Sequence, residues 1–233
     1  MSNKFVPKGR SSLPTELINF GRHLVYTEGT KTEPFYIESI KKEISNKYNC
    51  NPNHISIITA GDGTSYNTIS LVNFAKKDIE NRLRKKEIID HVWIFFDKDE
   101  FPISDFNNAD KMINEMNNSE KENNDGFKYN KNTEISWHSC FSNEAFELWL
   151  CLYFNLYNSA LSRDNYIRIL DQNLSKNGPY SKTLKNIHQL LTKSGGNINN
   201  AIKYAKKLFN NNKLSNPSTS IYLFAEYFKP YMK

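Results

Sequence analysis

The sequence predicts an α/β protein: a mainly parallel sheet flanked by helices, with a C-terminal helical extension. Three observations carry that expectation. Short apolar runs of strand length at 22–27, 55–59 and 91–96 alternate with stretches of helical spacing, and a β-α-β-α-β order implies parallel strands joined by crossover helices. The third run, His91-Val92-Trp93-Ile94-Phe95-Phe96, is almost wholly apolar, as a strand buried on both faces should be. From Ser162 onward the pattern offers helices only, at 162–174, 181–193, 197–211 and about 219–228.

In chain order, residues 1–21 with Pro7, Gly9 and Arg10 read as a basic arm without assigned chemistry. Strand 22–27 runs into Glu28-Gly29-Thr30-Lys31-Thr32-Glu33-Pro34, where Thr30 or Thr32 can cap a helix and Pro34 suits its first turn. Phe35, Ile37, Ile40 and Ile44 carry that helix to about Tyr48. The second strand, Ile55 to Thr59, closes in Gly61-Asp62-Gly63-Thr64, a turn that lacks the lysine pattern of a phosphate loop. A helix from Ile69 becomes densely charged between Lys76 and Glu87. The third strand ends abruptly in Asp97-Lys98-Asp99-Glu100. A helix near Ala109–Met116 and a polar, mobile loop to about 132 should follow. A fourth strand, 133–139, leads to a run from Ala145 to Phe154 that reads as a buried helix with Asn143 and Glu147 one turn apart. The expected organisation is an arm at 1–21, a catalytic core at 22–160 and a basic helical region at 161–233 packed on that core.

Composition narrows the class. With 38% hydrophobic residues, 15 Phe and 13 Tyr, the chain can fill a core and is not disordered. No apolar run approaches membrane-spanning length and Met1-Ser2-Asn3-Lys4 lacks a signal-peptide core, so a cytoplasmic protein with no membrane partner is expected. Cys50, Cys140 and Cys151 fit neither a disulfide framework nor a zinc site. Residues 1–150 carry 19 Lys and Arg against 22 Asp and Glu, whereas 151–233 carry 12 against 3. An acidic part beside a basic one suits a polyanionic substrate, although lysine-rich helices are equally the surface of a soluble protein.

The C-terminal ends of parallel strands share one sheet edge, so Glu28 and the acids Asp97, Asp99 and Glu100 can converge there. Asp97 and Asp99 point to the same side if the extended backbone continues. Paired carboxylates without clustered His or Cys favour Mg2+ or Mn2+ over zinc. Such a cation beside a free carboxylate is the apparatus of phosphodiester chemistry, with Glu28 exchanging a proton. Glu147, an acid within the apolar run, joins this set because buried acids without a role are uncommon. Lys31 and Lys98 are candidates for phosphate contact. Each has a plainer reading: Asp-x-Asp occurs in solvated loops, Glu28 can be a turn residue, and exposed lysines are usually solvated. The five histidines show no ligand spacing and read as structural.

Four motifs in order are more specific than their parts. They are Glu28-Gly29-x-x-Thr32-Glu33-Pro34, Phe96-Asp97-Lys98-Asp99-Glu100, Ser142-Asn143-x-x-Phe146-Glu147-Leu148-Trp149-Leu150 and Asn216-Pro217-Ser218-Thr219-Ser220. Over roughly residues 22–228 they closely resemble the RloB family, to which the second protein of the AbiL abortive-infection pair is also similar. The resemblance implies a Toprim fold in which Glu28 is the characteristic glutamate and Asp97 and Asp99 the Mg2+-binding pair, used to cut or rejoin nucleic-acid strands. By analogy with Toprim nucleases of the overcoming-lysogenisation type, Glu147 and Glu100 would serve a second cation. Asn143 would join Lys31 and Lys98 at the substrate. The family usually has Asn-Pro where this chain has Asn143-Glu144, which puts the local turn geometry in question. The same resemblance implies an antiphage abortive-infection effector beside an ABC-type ATPase, with RNA, tRNA included, ahead of DNA as substrate. Two rivals stand against a Mg2+-dependent endonuclease. One is a non-catalytic module that binds nucleic acid or the ATPase; the other is a small-nucleotide enzyme or sensor with a closed pocket. A homodimer is compatible with the sequence and has no specific support in it.

Overall fold

The computed structural model describes residues 21–48, 54–59, 67–99, 102–118 and 135–232. The expected basic arm (Gly21 excepted), the turn at 60–64, Glu100 and most of the polar loop before residue 132 lie outside these residues. The elements are β1 (His23–Thr27), α1 (Thr32–Tyr48), β2 (Ile55–Thr59), α2 (Thr68–Arg84), β3 (His91–Asp97), α3 (Ile103–Asn118), β4 (Ser136–Asn143), α4 (Glu147–Cys151), α5 (Arg163–Leu174), α6 (Ile187–Lys193), α7 (Ile198–Asn212), β5 (Ser218–Thr219) and α8 (Tyr222–Phe228). Strand order is β2-β1-β3-β4-β5; the first four strands are parallel and β5 runs antiparallel to β4. The expected α/β architecture with a mainly parallel, helix-flanked sheet is therefore present.

The sheet is buried on both faces because its strands are apolar at both parities. Leu24, Tyr26, Val92, Ile94 and Phe96 meet Leu71, Val72, Ala75 and Ile79 of α2 and Phe106, Ala109 and Ile113 of α3. On the other face Val25, Trp93, Phe95 and Cys140 meet Tyr36, Ile37, Ile40 and Ile44 of α1. Trp149 of α4, Leu170 and Leu174 of α5, Leu191 of α6, Leu208 of α7 and Phe224 of α8 belong to that same cluster. Each such side chain contributes about 1.5–3 kcal/mol on burial, so the C-terminal helices are bound into the core and β5 adds to its sheet. Cys140 and Cys151 are buried and free.

Several boundaries differ from the sequence reading. The fourth strand lies later, at Ser136–Asn143 instead of 133–139, and Asn143 ends this strand rather than sharing a helix with Glu147. The apolar run from Ala145 yields only the short α4, and the helix expected from 181 begins at Ile187. Hydroxyl groups explain the missed strand end. Ser142 Oγ and Thr219 Oγ1 hydrogen-bond at 3.1 Å, and the Phe141 amide donates to Ser220 Oγ at 2.8 Å. These tertiary bonds join β4 to β5 without any hydropathy pattern. Among the described residues no helix is long and apolar enough to cross a membrane.

The start of the strands carries an aromatic stack. His23 and His91 lie parallel at 4.7 Å, and His138 stacks on Trp93 at 3.8 Å. Trp93 Nε1 donates to His23 Nδ1 at 3.0 Å, and a hydrogen bond of 3.1 Å joins His91 to His138. Burial, with His91 nearby, pushes the His138 imidazole down to about 4. The three histidines are packed rings, and burial also holds His91 toward the neutral form.

Candidate functional site

The opposite, C-terminal edge of the sheet gathers the acids. The amide of Glu28 donates to the Phe95 carbonyl at 3.0 Å, which carries the β1–β3 pairing one residue beyond β1. That sets Glu28 beside Asp97, whose amide lies 3.4 Å from Glu28 Oε2. Alternation along β3 puts Asp97 on the same face as Trp93 and Phe95, toward α1 and α4. Its Oδ2 accepts the amide of Phe146 at 3.1 Å.

Extended backbone does not continue past Asp97, contrary to the simplest reading of Asp-x-Asp. Asp99 has φ of 40°, a left-handed conformation that Asp tolerates better than most residues. Its amide donates to the Glu144 carbonyl at 3.0 Å. What unites the two aspartates is Arg163, the first residue of α5, whose preceding Ser162 caps the helix. Nη2 lies 3.2 Å from Asp97 Oδ2 and Nη1 2.9 Å from Asp99 Oδ2, while Nε stands 3.6 Å from Glu147 Oε2.

Two further acids complete the pocket. Glu147 opens α4, is 2% exposed and accepts the Tyr180 hydroxyl at 3.1 Å. Tyr180 is held in turn by its amide, which donates to Asp171 Oδ1 at 2.7 Å. Glu33, in the first turn of α1, is 7% exposed and lays its carboxylate against Gly29, where any Cβ would collide with it. The positive end of the α1 dipole favours an acid there. The resulting pocket of about 360 Å3 is lined by Glu28, Glu33, Asp97, Asp99 and Glu147, with Lys31, Arg163 and Lys182 as the cations.

Five carboxylates against three cations leave this pocket short of positive charge. Burial raises the Glu28 carboxyl to about 7; the Asp97 amide opposes the rise, and the charges of Glu33 and Asp99 add to it. Burial also lifts Asp97 well above the usual carboxylate range, reinforced by Glu33 and Glu147 and opposed by Arg163 and the Phe146 amide. Glu33 is raised mainly by burial. For Arg163 burial works against the charge, but Asp97, Glu147 and Asp99 more than offset it and keep the guanidinium protonated.

Among the described residues no group of three or more His, Cys, Asp or Glu side chains is disposed to hold a metal ion, and the guanidinium holds the aspartate pair. The donor chemistry is nonetheless that of a hard cation. All candidate ligands are carboxylate oxygens, with no His or Cys among the lining residues, a donor set that would suit Mg2+ or Mn2+ rather than zinc.

The family profile described as RloB-like protein matches residues 23–227. The chain belongs to the RloB-like family. The match runs from the first residue of β1 into α8, so the acidic pocket and helices α4 to α7 fall within it. Comparisons with the curated proteins and with the solved structures return no match.

In this RloB-like fold, Glu28, Lys31, Asp97, Asp99 and Glu147 of the sequence-derived set line one pocket. Lys98 does not line it; its amide donates to the Ser142 carbonyl at 3.0 Å. Asn143 is 4% exposed and donates through Nδ2 to the Leu214 carbonyl at 2.7 Å, tying β4 to the segment before β5, and it is not among the residues lining the pocket. Glu100 lies outside the described residues. Sequence reading missed Glu33, Arg163 and Lys182 as pocket residues, and Tyr180 as the donor that holds Glu147. Glu33 was within reach, being one turn into a helix that starts beside Glu28. Arg163 meets Asp99 across 64 positions of sequence with no local signal.

Proposed function

We propose that this RloB-like protein is a Toprim-type nuclease, dependent on Mg2+ or Mn2+, that hydrolyses phosphodiester bonds in nucleic acid, RNA foremost, as a cytoplasmic antiphage effector. The observation that carries this reading is the convergence of Glu28, Asp97 and Asp99 on one sheet edge, in a pocket with more carboxylates than cations. Glu28, Asp97 and Asp99 would hold the ion. When bound, it supplies positive charge that stabilises the phosphoryl transition state and acidifies water. With its carboxyl at about 7, Glu28 can take up or release a proton at neutral pH. Glu147 is committed to Tyr180 and Arg163 and orients rather than reacts.

Substrate phosphates would meet Lys31 and Lys182 at the pocket. Further contacts are available on α7, where Lys203 and Lys207 are exposed and line, with Lys229, a groove of about 660 Å3. Such sequence-independent lysine contacts give salt-sensitive binding. An ABC-type ATPase partner and a tRNA target rest on the family resemblance alone.

The test is incubation of the purified protein with total RNA and plasmid DNA, with and without Mg2+ or Mn2+, beside Asp97→Asn and Glu28→Gln. Metal-dependent RNA cleavage that both substitutions abolish is expected. Cleavage persisting in either variant refutes the assignment. Salt-sensitive binding without any cleavage favours the non-catalytic module.

A further inference from the structure

Arg163 stands where a cation would be most useful. Its two Nη atoms are spent on the Asp97 and Asp99 carboxylates at 3.2 and 2.9 Å. Its Nε is enclosed, makes no hydrogen bond, and lies 3.6 Å from Glu147 Oε2. The planar guanidinium thus has two good contacts and one unfinished contact, all with carboxylates. Glu147 is fixed by Tyr180 and deeply buried, so it remains in place whatever the aspartates do. Arg163 side-chain exposure of 27% leaves room for the guanidinium to move. A small shift toward Glu147 would give Nε its missing partner and release the aspartate oxygens.

Resting on the nuclease reading above, we propose that Arg163 is a tethered cation that bridges Asp97 and Asp99 in the metal-free protein and withdraws onto Glu147 when a divalent ion binds. Arg163 is then a positioning residue that sets the metal affinity of the edge. The competition is steric as well as electrostatic, because the same aspartate oxygens cannot face the guanidinium and an ion together. Only the fraction of molecules with Arg163 withdrawn binds metal, so apparent affinity falls by that fraction.

Mn2+ binding to the full chain, followed by isothermal titration calorimetry and by electron paramagnetic resonance, tests this without any nucleic acid. Arg163→Gln should bind Mn2+ about tenfold tighter than wild type, as expected when a state populated at roughly one in ten becomes dominant. Arg163→Lys is the decisive variant. It retains the positive charge but cannot span two carboxylates in a planar fork, so it too should bind more tightly than wild type. In thermal melts, either variant should gain more from Mn2+ than wild type does, because the metal replaces a cation that wild type already has. Tighter binding in Arg163→Gln with wild-type affinity in Arg163→Lys would mean simple charge repulsion and overturn the displacement. Unchanged or weaker binding in both would make Arg163 a fixed part of the site and overturn it as well. In each case wild-type binding of Mn2+ would leave the nuclease reading standing; absence of Mn2+ binding in all three proteins overturns both.

Discussion

Replacing Glu28 by Gln should stabilise the protein at alkaline pH and leave it unchanged in acid. The carboxyl is raised from 4.5 to about 7 on folding, chiefly by burial. A folded-state value above the unfolded one means that the fold favours the protonated form. The stabilising contribution is complete below about 4.5 and disappears as pH climbs through 7. Glutamine imitates the protonated carboxyl at every pH and can still accept from the Asp97 amide. At about 1.4 kcal/mol per pH unit the full gap corresponds to roughly 3 kcal/mol, and solvent screening of a half-buried group reduces it to about 1–2 kcal/mol. For a chain of this size that is a rise in Tm of roughly 2–8 °C. Circular-dichroism melts in EDTA at pH 4.5, 6 and 8 measure it. Equal shifts at all three values, or destabilisation at pH 8, would refute the buried-carboxylate argument. A solvated turn glutamate would show no pH-dependent difference.

Three further outcomes follow from the same geometry. Gly29→Ala drives a Cβ into the Glu33 carboxylate and should cost about 1–3 kcal/mol; the loss should shrink in a Glu33→Ala background, which a double-mutant cycle in urea measures. Tyr180→Phe removes the donor to buried Glu147 and should cost about 1.5–3 kcal/mol by urea denaturation at pH 7. His138, held at about 4 against 6.5 when unfolded, makes the fold lose stability as pH drops from 6.5 toward 4. His138→Gln should therefore show a smaller difference in urea midpoint between pH 7 and pH 5 than wild type.

How much was legible in the sequence follows the range of the forces involved. The first three strands fall within one residue of their expected limits, because burial on both faces writes itself as an uninterrupted apolar run. The convergence of Glu28 with Asp97 was legible too, since parallel topology alone places the ends of β1 and β3 side by side. The end of β4 was not. Ser142 and Asn143 belong to the sheet because Ser142 faces Asp97 in register and bonds to Thr219, partners far away in sequence. Arg163 was hidden for the same reason, and a basic residue opening a helix in a lysine-rich region has nothing local to mark it.

The two ends of the same sheet separate packing from chemistry. At the start of the strands, His23, His91, His138 and Trp93 hydrogen-bond to one another and stack, and burial holds His91 and His138 toward the neutral form. Such polar groups cost the fold little, because each finds a partner. At the far end, Glu33, Asp97 and Glu147 are at most 9% exposed; Asp97, Asp99 and Glu147 share one guanidinium, with Glu28 and Glu33 lining the same pocket. Buried carboxylates are costly unless well paired, and apolar replacements of similar volume are often neutral or stabilising. Stability alone therefore gives no reason for five acids around one pocket. A positively charged occupant does, and Arg163 already supplies one such charge from within the chain.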